Sequence, residues 1–237
     1  MRRTLTTACL LALLLALPLP AHAGKKKKSV TIPIDIGIGP AAHMLTGPIQ
    51  DDQTLHWGLV LSVQAILDKQ TLKKLKKKIP KQYRKQILSM DELRMSPSIF
   101  IPDTLFISPK TANTSMVGVS WTPLNLGMPI VKDPFRWSLG ASLRLSGAYL
   151  ASDGIAGAQG GQSWRMFFLR PGLDLGTELE IPFSDSFLIS GGWRSQLHLP
   201  QAIGGEVGEL GPLDSAIWHI GQPFVMFHVR VPYEYKL

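Results

Sequence analysis

One cysteine occurs in the chain, Cys9, and none follows it. Disulfides are therefore excluded beyond residue 9, and with them a small secreted domain stapled by disulfides. No segment after the first two dozen residues approaches the roughly 18 uninterrupted apolar residues of a membrane helix. A Gly-x-Ser-x-Gly elbow is missing, and so is any close His-x-Ser pair. Residues 154–161 are rich in glycine but lack the Lys-Ser/Thr of a phosphate loop, so they read as a surface loop. Carboxylates are scarce: 17 Asp and Glu stand against 25 Lys and Arg, a net charge of +8. Removing Arg2 and Arg3 with a leader leaves +6. Much of that excess lies in residues 25–28 and 69–85, so the charge is local. A chain-wide nucleic-acid binder is not indicated.

What is present begins with an export signal. Arg2 and Arg3 precede an apolar stretch over residues 8–19, and Ala21-His22-Ala23 is a small-x-small cleavage site. Residues 1–23 are expected to be a signal peptide. No cysteine sits where a lipoprotein signal needs one. Residues 24–30 then form a basic tail, and residues 31–237 form one domain.

The strongest pattern lies in residues 135–149. Phe135, Trp137, Leu139, Ala141, Leu143, Leu145, Gly147 and Tyr149 alternate with Arg136, Ser138, Gly140, Ser142, Arg144, Ser146 and Ala148. A period of two puts each set on its own face of a strand. One face suits hydrocarbon and the other suits water. The same rhythm marks residues 32–38, 55–67, 115–124, 164–181, 187–199 and 216–237, with a weaker strand at 98–108 disturbed by Pro102 and Pro109. Eight strands result, joined by a tight turn at Ser184-Asp185-Ser186 and by long loops at 151–163 and 201–215. The fold class expected is all-β: an antiparallel up-and-down transmembrane β-barrel of about eight strands. Alternation explains how 45% of the chain can be hydrophobic without one long apolar run.

The aromatic, alternating end of the chain adds a resemblance. Phe227, Val229, Val231, Tyr233, Tyr235 and Leu237 alternate with His228, Arg230, Pro232, Glu234 and Lys236. With the signal peptide and the strand rhythm, the chain resembles the small eight-stranded outer-membrane proteins of Gram-negative bacteria. That family usually ends in Phe or Trp, where this chain has Leu237. The resemblance implies a cell-envelope location. It also implies assembly by the outer-membrane insertion machinery, for which the last strand looks like the signal.

Residues 68–96 interrupt the rhythm between the second and third strands. Leu72, Leu75 and Ile79 recur at helical spacing, and Pro80 splits the segment into two short helices. Lys73, Lys74, Lys76, Lys77 and Lys78 fill much of the first. Two readings stand. The leucines enter the inner leaflet while the lysines meet anionic lipid headgroups. Alternatively, a solvated basic helix covers the barrel mouth or contacts a partner.

The water-suited parity carries Asp35, His56, Arg144, Arg170, Asp174, Glu178, Arg194, His198, His228, Arg230 and Glu234. An eight-stranded barrel is barely wide enough for its own side chains, and buried charges must be paired. These residues are expected to form an interlocked polar network in the lumen. His56, His198 and His228 lack ligand spacing, so no metal or other cofactor is expected. The function expected is an integral outer-membrane barrel, non-enzymatic, with a structural, interaction or narrow-pore role and with outer-membrane lipids as partners. Two alternatives stay open: a membrane-embedded lipid-modifying enzyme, and a soluble periplasmic β-sandwich or lipocalin-like binder. The 18 prolines keep the latter in view.

Overall fold

The computed structural model describes residues 29–47, 55–98, 101–111, 114–131, 135–152, 164–200 and 216–236. The expected signal peptide, the four tail lysines and most of the two long loops lie outside the described residues. Strands are β1 (Ser29–Thr46), β2 (His56–Asp68), β3 (Glu92–Met95), β4 (Thr104–Thr111), β5 (Thr114–Val131), β6 (Arg136–Ser152), β7 (Trp164–Pro182), β8 (Phe187–His198) and β9 (Trp218–Lys236). All pairings are antiparallel between neighbours, and β9 closes onto β1 from Ser29↔Lys236 to Thr46↔His219. β3 and β4 share one position between β2 and β5, so the closed barrel has eight strand positions. A closed sheet leaves no edge, which is what a strand protein in hydrocarbon requires. Both described ends of the chain lie at one end of the barrel, called here the terminal end. The opposite end is the loop end.

The third position differs from the expectation. Residues 92–95 belong to the wall and not to the insertion: Met95 pairs with Ala65, and Leu93 with Leu126. The strand then breaks and resumes at Thr104, where the expected strand at 98–108 is only partly realised. Pro97 and Pro102 flank the break and can donate nothing to a ladder. Asp103 repairs it. Its backbone N–H donates to the Ser120 carbonyl at 2.9 Å, and its carbonyl accepts from Val63 N–H at 2.7 Å. Its carboxylate accepts from Thr122 N–H at 2.6 Å and from the Ser96 hydroxyl at 2.9 Å.

β5 also runs past its expected end at residue 124. Trp121 pairs with Leu145 but Leu124 with Leu143, so one extra residue is inserted at Thr122-Pro123. That bulge moves the outward set from odd to even numbers. A strict alternation rule therefore loses the strand there. The domain also begins earlier than residue 31, since Ser29 and Val30 already pair with Lys236 and Tyr235.

The two faces are sorted as the alternation requires. Ile36, Ile38, Leu59, Val117, Leu139, Leu145, Leu175, Phe227 and Val229 are exposed on the outside. Asp35, Arg94, Arg144, Arg170, Asp174 and Glu180 are buried inside. Toward the loop end the lumen is filled by Val60, Phe106, Met116, Phe168, Trp218, Phe224 and Met226. Trp218 is thus a lumen residue, whereas Trp57 and Tyr149 face out near the loop end and Trp137 and Tyr233 near the terminal end. A lipocalin-like binder would instead keep an open apolar cavity within.

The insertion folds as a helical hairpin. α1 (Lys69–Lys74) is capped by Asp68, whose carboxylate accepts from Thr71 N–H at 2.7 Å. A further 3-10 turn continues it to Lys77, Pro80 breaks it, and α2 (Arg84–Ser89) returns. Arg84 Nε donates to the Ile79 carbonyl at 2.9 Å and ties the two halves together. Helices this short do not persist alone, so packing must hold them.

Candidate functional site

The first constellation is the lumen. Near the terminal end, Arg94 on β3 contacts Glu92 at 2.6 Å, Glu178 at 3.8 Å, and Glu180. Arg136 joins Glu92 at 2.7 Å. Arg230 reaches Asp35 at 3.0 Å and Glu180 at 3.2 Å. His228 Nδ1–H donates to Asp35 at 2.6 Å, and its Nε2 lies 2.8 Å from Ser190 Oγ. Gly37 opposite has no room for a side chain, because a Cβ there would stand 2.7 Å from the His228 ring. At mid-height Arg144 pairs with Asp174 at 2.6 Å, and Arg194 lies 4.4 Å over the Phe224 ring. Gln196 donates to Gln222 at 3.0 Å, and Gln222 to His43 at 2.8 Å. Higher still, the Arg170 guanidinium stacks 3.6 Å from the Trp218 ring and donates to the Leu199 and Ala216 carbonyls at 3.1 and 2.8 Å.

The structure thus joins Asp35, Glu178, His228 and Arg230 in one network and Arg144 with Asp174 in a second pair. Arg170 and Arg194 rest on aromatic rings. His198 stands edge-on to Phe168, and His56 is buried at the loop end beside its register partner His43. Glu234 shares the lumen parity but is exposed at the terminal end. The three histidines His56, His198 and His228 are not brought together. Among the described residues no group of three or more His, Cys, Asp or Glu could hold a metal ion. Sequence reasoning missed Glu92 and Arg94, which it assigned to the insertion, and Arg136, at a strand end. The space left among these side chains is about 50 Å³, enough for a few waters at most.

The second constellation is the helical hairpin. Leu72, Leu75, Ile79 and Ile87 pack with Val30, Ile32, Ala65, Leu67, Leu93 and Met95 in one buried cluster. Those wall residues have the outward parity of Ile36 and Leu59. The hairpin therefore lies against the outside of the barrel at its terminal end. Its leucines are buried against that wall, and it does not cover the mouth. Burying each such side chain is worth about 1.5–3 kcal/mol relative to water. Between residues 69 and 90 stand nine cations and no carboxylate. Lys73, Lys74, Lys76, Lys77, Lys78, Lys81 and Lys85 are all exposed. At the hairpin's root Lys69 pairs with Asp91, 3.6 Å apart.

The third constellation was not legible in sequence. On the outside of the barrel near the loop end, Ser195 of β8, His219 of β9 and Thr46 of β1 meet. Ser195 Oγ lies 2.7 Å from His219 Nε2, and Thr46 Oγ1 lies 2.6 Å from His219 Nδ1. Thr46 and His219 are register partners across the closing seam, and His219 faces Leu197 two residues from Ser195. No local motif could reveal residues separated by 149 and 24 positions.

No family model matches the chain, and no curated protein matches it. Solved structures similar to it include Neisserial surface protein A, at 11% identity and a TM-score of 0.45, covering 86% of this chain and 99% of that one. The attachment invasion locus protein Ail of Yersinia pestis is similar at 10% identity and a TM-score of 0.38, covering 84% and 99%. OprG of Pseudomonas aeruginosa is similar at 11% identity and a TM-score of 0.31, covering 87% and 97%. The chain's own pairings make a closed antiparallel barrel of eight strand positions, the architecture implied by its resemblance to small outer-membrane barrels.

Proposed function

We propose that this protein is an integral outer-membrane β-barrel with a sealed lumen, which acts at its outer wall and rims rather than by conduction. The observation that carries this reading is the inverted distribution of side chains: isoleucine, leucine and valine outside, paired arginines and carboxylates inside. In water the exposed apolar wall would be an aggregation surface, whereas in a bilayer it is the required one. The terminal end lies in the periplasm and the loop end outside the cell, with the short turn at 183–186 facing inward. β9 guides the insertion machinery, and its pairing with β1 completes assembly.

The basic hairpin supplies the interaction surface. Its apolar side is occupied by the barrel wall, so its lysines meet anionic headgroups of the periplasmic leaflet by charge alone. Cell fractionation with a heat-modifiability gel tests the reading. The expected result is outer-membrane recovery and a compact band that shifts on boiling. Recovery in the soluble periplasmic fraction would overturn it.

A further inference from the structure

We propose that Ser195, His219 and Thr46 form a serine-nucleophile site on the lipid-facing wall that hydrolyses ester-linked acyl chains of membrane lipids. This goes beyond the barrel's placement in the membrane and rests on that placement only for its substrate.

The hydrogen-bond chain accommodates the histidine tautomer that a base requires. Thr46 Oγ1 has one proton and lies 3.3 Å from the His219 carbonyl, which can only accept. With that proton donated there, Thr46 Oγ1 accepts from His219 Nδ1–H at 2.6 Å. Nε2 is then left without a proton, and it faces the Ser195 hydroxyl at 2.7 Å. A nucleophile, a base and a group that orients the base in the correct tautomer are the parts needed to activate a serine. Here Thr46 is a positioning residue, in the place usually held by a carboxylate.

The setting matches the substrate class. Ser195 has the outward parity of Trp193, on the face opposite the buried Gln196 and His198. Trp193 is 37% exposed, and its ring lies where a Cβ on Gly221 would stand 2.6 Å away. The glycine thus lets the indole lie across β9 beside the serine, as an apolar flank for an acyl chain. Ser195 is three residues from the end of β8, about 10 Å along a strand. At that depth from the loop end, ester linkages between headgroup and acyl chain and interfacial water are both within reach.

The reaction balances without a further reactant. Ser195 Oγ attacks the ester carbonyl as its proton passes to His219 Nε2. The carbon–oxygen bond to the lipid alcohol breaks, and the alcohol leaves with the proton from Nε2. Water, deprotonated by His219, then cleaves the acyl-serine ester, releases the fatty acid and returns the proton to Ser195.

The test uses the full folded barrel in detergent. A fluorophosphonate probe is added, and the labelled peptide is identified by mass spectrometry. Fatty-acid release is followed in separate micelles of phospholipid and of lipid A, which distinguishes the two ester sources. Labelling at Ser195 and release from either lipid are expected. Ser195→Ala should abolish both. His219→Asn should slow release at least 10³-fold on the scale of triad removal. Thr46→Val should slow it while Thr46→Ser retains it, a rescue that a purely packing role would not give. All variants should keep heat-modifiability. A folded wild-type barrel that leaves Ser195 unlabelled and releases no fatty acid would overturn the proposal while leaving the membrane reading intact. Failure to insert in membranes would overturn the lipid substrate and the barrel's placement together.

Discussion

Asp35 and His228 meet across the seam between the first and last strands, 193 residues apart, with Oδ1 2.6 Å from Nδ1. The same carboxylate holds Arg230 at 3.0 Å, so one side chain on β1 satisfies two on β9. Closure of the barrel is thereby coupled to the charge network at its terminal end.

Asp35→Ala should destabilise the barrel by about 1–3 kcal/mol, because it removes the partner shared by the buried His228 and by Arg230, which is half-buried and keeps Glu180. The urea midpoint for loss of the compact gel band should fall accordingly. An unchanged midpoint would mean that the remaining carboxylates absorb the loss.

Leu143 and Ser142 are neighbours on opposite faces at mid-height of β6. Leu143→Arg places a cation on the lipid side and should cost about 2–4 kcal/mol of assembly. Ser142→Thr adds one methyl beside the small lumen cavity that Ser142 lines, and it should insert normally. Equal yields of the two variants in the outer membrane would contradict a bilayer around this wall.

The helical hairpin should be dispensable for closure. Asp68 and Glu92 are register partners, so residues 69–91 can be exchanged for an Asn-Gly turn. The wall uncovered, Val30, Ile32, Ala65 and Leu67 among others, is apolar and lipid can cover it. A truncated barrel that keeps its compact gel band is expected. Loss of that band would make the hairpin a structural element of the wall.

Exchanging Lys73, Lys74, Lys76, Lys77 and Lys78 for Gln should leave folding intact and change lipid preference. Spin-labelled phosphatidylglycerol should associate with the reconstituted wild-type barrel more than spin-labelled phosphatidylcholine does. That preference should fade as salt rises, since screening acts over about 10 Å at 0.1 M. The glutamine form should show little of it. Indifference of the wild type to headgroup charge would exclude the lipid role of the hairpin.

A lumen blocked by Phe106, Phe168 and Trp218 above and by ion pairs below should not conduct. Planar-bilayer recordings are expected to show no stepwise currents from the wild-type protein. Regular steps at low voltage would require the plug to move and would restore a pore function.

The sequence by itself determined the class. Alternation of two is a backbone property, so the outward set from Phe135 to Tyr149 and the inward set from Arg136 to Ala148 could be read without coordinates. The helical spacing of Leu72, Leu75 and Ile79 and the break at Pro80 are equally local. Four matters were decided only in three dimensions. The bulge at Thr122-Pro123 reversed parity along β5, and the divided strand at Asp103 was repaired by contacts with two other strands. The hairpin's apolar face found the outside of the barrel, because Val30, Ile32, Leu67 and Leu93 come together there only after closure. Thr46, Ser195 and His219 became neighbours through register across β1, β9 and β8. Local pattern reports which face a residue takes; which residues share that face side by side depends on strand order and stagger, set by the closing of the whole sheet.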